Sequence, residues 1–63
     1  MNGINLKKIM TYYINNFKSL NGLMEKNNEI VVNIFKLITP INVITKKELI
    51  NNEWKLTITV THE

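Results

Sequence analysis

The chain has 63 residues, with eight lysines against five glutamates for a formal charge of +3, and no arginine, aspartate or cysteine. That length allows one domain at most, and so short a chain buries only about 60% of its unfolded surface. Without cysteine neither disulfides nor thiolate metal sites can staple it, so stability must come from the core or from a partner that covers what the core leaves bare.

Residues 5–21 carry apolar side chains every three or four positions. Leu6, Ile9, Met10, Tyr13, Phe17 and Leu20 form one stripe, with Lys8, Thr11, Asn15 and Lys18 on the other side. This spacing predicts a helix over 5–21. The Asn5 side-chain oxygen can cap its start. Asn21-Gly22 is the expected stop, because both residues tolerate the left-handed backbone that ends helices. Tyr12 and Tyr13 read as packing residues with wet hydroxyls rather than as a ligand box.

The next run, EIVVNIFKLIT, is rich in β-branched residues that also suit a strand. Its polar positions favour a helix instead. Lys26, Glu29, Asn33 and Lys36 follow a helix's solvent stripe, whereas strand alternation would put Lys36 on the face of Ile34 and Ile38. The expectation is a helix over 28–38, capped by Asn27 or Asn28 and ended by Pro40, since the residue before proline avoids helical angles.

The last third reads as two strands, 41–50 and 53–61. Trp54, Leu56, Ile58 and Val60 share one face of the second, and Lys55, Thr57, Thr59 and Thr61 share the other. A two-residue turn at Asn51-Asn52 sets Leu49 against Trp54, Glu48 against Lys55, Thr45 against Ile58 and Val43 against Val60. That register joins apolar to apolar and acid to base, each pair worth a few tenths of a kcal/mol. A three-residue loop would set Glu48 and Lys46 against the apolar face, and is rejected. Asn-Asn can supply the positive φ of the tight turn. The single tryptophan then anchors the turn end of a hairpin. Lys47, opposite Leu56 on the apolar face, either snorkels outward or marks where that face is open to a partner.

Catalytic groups are sparse. His62, the one histidine, lies next to the terminus, where a frayed surface residue is the ordinary expectation. Glu25 and Glu29 can share a helix face beside Lys26, as surface ion pairs do. Ser19 has no neighbouring histidine to activate it. Gly3 and Gly22 stand apart, with no phosphate-cradling loop. The expectation is a chain with no catalytic, cofactor-binding or metal residues. The lysines are scattered and the Lys/Asn/Ile bias can reflect AT-rich coding, so they read as solvated surface rather than as a phosphate-binding patch. A helix-turn-helix through Asn21-Gly22 would have a nearly all-apolar recognition helix, unsuited to reading base edges. No apolar run reaches the ~18 residues that span a bilayer, and no continuous apolar segment follows Lys7 and Lys8 as in a signal peptide. The expected location is cytoplasmic.

From residue 28 onward, the helix, the Leu37-Ile38-Thr39 link, Val43, and the strand through Trp54, Leu56, Ile58, Val60 and Glu63 resemble the N-terminal half of the gas vesicle accessory family GvpO. There a helix leads through a Leu-Thr-Gly link to a strand of the form Gly-Trp-x-Val-x-Val-Glu. In this chain Glu53 stands where that family has the glycine, and the family's downstream portion has no counterpart. The resemblance implies a cytoplasmic, non-enzymatic factor that contacts other vesicle proteins, and it transfers no site.

Together these readings predict an α+β domain over residues 1–63, with two helices packed on a C-terminal antiparallel β-hairpin. Ile44, Lys47, Thr57 and Thr59 are the candidate partner contacts, for a protein partner or a second copy. A small nucleic-acid-binding regulator is the alternative.

Overall fold

The computed structural model describes residues 7–63. In chain order these form strand β1 (Lys8–Phe17), helix α1 (Leu20–Leu37), strand β2 (Asn42–Ile50) and strand β3 (Glu53–His62). The sheet runs β1-β3-β2, with β3 central and antiparallel to both neighbours. β1 and β2 are therefore parallel to each other, and α1 is the long crossover that such a pair requires.

This corrects the expectation of two helices on a hairpin. Among the described residues there is one helix, and most of the expected helix 5–21 is a strand. Asn5 and Leu6, the expected cap and start of the stripe, lie outside the described residues, as does Gly3. The error has a physical source. Met10, Tyr12 and Ile14 alternate onto one sheet face opposite Val60, Ile58 and Leu56, and Phe17 faces Trp54. Between them, Asn15 and Asn16 bulge against the single residue Lys55, with Asn16 at φ 77, a left-handed angle that asparagine tolerates. Of the expected stripe, Met10 and Phe17 belong with this face, whereas Ile9 and Tyr13 lie on the other, opposite Thr61 and Thr57, so a strand with apolar residues on both faces imitates helical spacing. Thr11, Tyr12, Tyr13 and Ile14 are good strand formers, and a lone hairpin is barely stable in water. The free edge of β3 therefore recruits them.

α1 begins at Leu20 rather than at 28. Its cap is Ser19, whose backbone is extended (φ −131, ψ 150) and whose hydroxyl accepts the Gly22 N–H at 3.1 Å. Asn21-Gly22, expected to stop a helix, lies in the first turn of this one. A Cβ on Gly22 would come within 3.2 Å of the Ser19 oxygen, so the missing side chain leaves the cap room. The C-terminus behaves as Pro40 dictates. Ile38 closes the helix by donating to the Ile34 carbonyl at 2.9 Å, and Ile41 then donates to the Thr61 carbonyl at 2.7 Å, leading the chain into the sheet.

The hairpin has the pairing its residues specify. Leu49 faces Trp54, Glu48 faces Lys55, Thr45 faces Ile58 and Val43 faces Val60. Asn51 and Asn52 carry φ of 52 and 62, the double positive angle of a tight hairpin turn. Leu23 and Ile34 from α1 meet Leu56, Ile58 and Val60 from β3 in the buried core. Met10, Ile14, Phe17, Ile30, Ile38, Val43 and Trp54 pack around it.

Replacing Ser19 with alanine removes the cap bond and should cost about 1 kcal/mol. Urea denaturation should show a lower midpoint at an unchanged slope. An unaltered midpoint would mean that α1 does not start there.

Candidate functional site

Alternation gives the sheet an inner face toward α1 and an outer face that no described residue covers. The outer face carries Ile9, Thr11 and Tyr13 from β1, Thr57, Thr59 and Thr61 from β3, and Ile44 and Lys46 from β2. Ile9 and Ile44 are well exposed, and Tyr13 is 72% exposed. The Lys55 ammonium sits 5.9 Å from the Tyr13 ring centre, within range of a cation–π attraction. Lys46 and Glu48 approach to 3.7 Å along β2. Toward the turn, Asn15, Asn16, Ile50, Asn51, Glu53 and Lys55 line an open depression of about 270 Å³.

Of the four candidate contacts, Ile44, Thr57 and Thr59 lie together on this outer face, with Ile44 directly opposite Thr59. Lys47 does not join them. It is on the inner face, opposite Leu56, and exposed.

Its exposure reveals a second open surface. α1 packs on β3 and β1, and reaches toward β2 through Asn27, whose side-chain oxygen accepts the Thr45 hydroxyl at 3.2 Å. Leu20, Met24, Val31 and Phe35 stand one or two helical turns from Asn27 on the same side. Phe35 is 59% exposed, and Leu49, on the inner face of β2, is 57% exposed. The inner face of β2 and this helix flank are thus both left open where α1 packs on β3 and β1 instead. Sequence reading passed over the flank, although one signal was present. Val31 and Phe35 widen the apolar side of α1 beyond what Leu23, Ile30 and Ile34 need to cover a single strand.

Two further groups of possible chemical interest have local partners. The Ser19 hydroxyl caps α1, and Lys26 pairs with Glu29 at 3.5 Å. His62 is not frayed as expected. It pairs with Lys8 in the ladder, is half-buried, and its Nδ1 lies 3.0 Å from the Glu63 carbonyl. Among the described residues no three metal-ligating side chains gather, and no helix is long and apolar enough to cross a membrane.

No protein-family model, curated protein or solved structure matches the chain.

The two faces should respond differently to truncation. Ile58→Ala should cost about 2–5 kcal/mol, and Ile44→Ala, on the open face, under about 0.5 kcal/mol. Thermal unfolding of the two variants at a concentration where the chain is monomeric checks this. Equal losses would show the outer face to be covered.

Proposed function

We propose that the chain is a small non-enzymatic assembly protein of the cytoplasm, which works by presenting β2 and the neighbouring flank of α1 to a protein. One observation carries this reading. Twelve large apolar side chains are exposed among the described residues, and seven of them belong to β2, its leading residue Ile41, or the flank of α1 that carries Asn27. Ile44 and Ile50 lie on the outer face of β2, Leu49 on its inner face and Ile41 just before it, and Leu20, Met24 and Phe35 lie on the side of α1 that reaches β2 through Asn27. Single apolar residues are ordinary on a surface, but an edge strand apolar on both faces, beside an apolar helix flank, marks a candidate interaction site. A sheet edge beside an apolar helix flank offers a partner both backbone hydrogen bonds and side-chain pockets. The resemblance of residues 28–63 to GvpO names one setting for such a module, the assembly of gas vesicles. The cysteine-free composition suits a reducing compartment.

A second reading has one observation of its own. The exposed Tyr13 ring, with Lys55 beside it and Lys46 in the same cross-strand row, is a small stacking and phosphate-binding platform on the outer face. It holds a single aromatic ring, which makes it the weaker of the two.

Sedimentation at micromolar concentration, of the chain alone and mixed with gas vesicle shell protein, should show a mass above 7.4 kDa in at least one arm. Phe35→Glu combined with Leu49→Glu should weaken that association at least about tenfold with unchanged circular dichroism. A monomer in both arms contradicts the assembly reading. Retention on single-stranded nucleic acid that falls steeply with salt, and is lost in Tyr13→Ala, would favour the second.

A further inference from the structure

The geometry points to a second copy of this chain as a partner of β2, in a twofold antiparallel pairing of β2 with β2 centred on Lys47. This deepens the assembly reading above and rests on it.

The two outer strands of the sheet are not equivalent. The ladder of β1 shifts at Asn15-Asn16, where Asn16 takes a positive φ, so its regular run is confined to Lys8–Ile14 before pairing resumes at Phe17. A bulge of this kind is one way in which edges are protected from foreign strands. β2 pairs with β3 without a shift over its whole length, Asn42 to Ile50, and so presents a regular outer edge. Its protection is charge, in Lys46 and Lys47. Edge lysines repel most strands. They admit one that brings an acid opposite Lys46, and β2 itself does so through Glu48.

The register follows from parity. Residues directly opposite each other in an antiparallel pair share a sheet face, so a twofold axis must pass through a residue position. With the axis at Lys47, each Lys46 meets the partner's Glu48 and each Ile44 meets the partner's Ile50 on the outer face. On the inner face each Thr45 meets the partner's Leu49. The alternatives are shorter or worse: an axis at Val43, Ile44 or Leu49 keeps at most five residues of β2 in register, against seven for Lys47. An axis at Lys46 opposes two Lys46 side chains and sets Ile44 against the partner's Glu48. One at Thr45 sets Ile44 against the partner's Lys46 and Val43 against the partner's Lys47. One at Glu48 opposes two glutamates. The chosen register brings the two Lys47 residues together at the axis. They lie on the inner face where α1 leaves β2 open, and Lys47 is exposed there, so the two ammonium groups remain in water. The product is a continuous sheet in the order β1-β3-β2-β2-β3-β1, joined by an isologous contact.

The test is a charge exchange read by sedimentation equilibrium. Lys46 is 67% exposed, so its substitution leaves the core alone. The wild-type chain is expected to dimerise. Lys46→Glu alone and Glu48→Lys alone each oppose like charges twice across the axis, and each should dimerise at least about tenfold more weakly. An equimolar mixture of the two variants restores both opposite-charge pairs in a heterodimer, and should recover the wild-type affinity. The ion pair within each chain is equally lost in the separate and mixed samples, so it cannot mimic this rescue. Thr11→Lys, on β1, should leave the dimer unchanged. The proposal is overturned if the single variants dimerise like wild type, if mixing fails to restore the dimer, or if Thr11→Lys abolishes it. It is also overturned by a wild-type chain that is monomeric alone yet gains mass with the shell protein, an outcome that leaves the assembly reading standing.

Discussion

The structure depends on keeping one row of side chains dry. Leu56, Ile58 and Val60 of β3 are fully buried, each burial contributing about 1.5–3 kcal/mol before entropy is counted. A strand can bury such a row only if its two edges are paired and the row is covered from above. β2 and β1 supply the pairing, and Leu23 and Ile34 of α1 supply much of the cover. A hairpin capped by helices would have left one edge of β3 unpaired. That requirement explains why residues 8–17 join the sheet although their apolar spacing imitates a helix.

Supporting β3 on both sides has a consequence for the rest of the surface. One helix laid over β3 and β1 does not cover the inner side of β2, and nothing among the described residues covers the outer face. The same economy that stabilises a very short chain leaves Phe35, Leu49, Ile44 and Tyr13 in water. The proposed function grows out of that imbalance. The core is small because the chain is small, and more than half of the apolar residues left over belong to β2, its leading residue Ile41, or the Asn27 side of α1.

What the sequence revealed follows from how local each signal is. The β2–β3 hairpin was legible down to its register, because alternation and the Asn51-Asn52 turn determine pairing within a few residues. The grouping of Ile44 with Thr57 and Thr59 followed from the same alternation. α1 was half legible. Its polar stripe showed through, but Ser19, the true cap, was passed over in favour of the asparagines nearer the apolar run. β1 was hidden, because it carries apolar residues on both faces, Ile9 and Tyr13 on one and Met10, Tyr12 and Ile14 on the other, and the bulge at Asn15-Asn16 shifts Phe17 out of simple alternation. The open α1 flank was also hidden, since it depends on which strands the helix covers, and that is a property of the packed whole.

The most direct test of the account is amide hydrogen exchange along β3. In a central strand successive N–H groups donate alternately to the two neighbours, so every amide from Leu56 to Val60 should be slow to exchange. In a strand paired on one side only, every second amide would exchange quickly. Continuous protection across those positions, with matching slow amides in β1, is the predicted result. An alternating pattern in β3, or helical protection over residues 8–17, would contradict it.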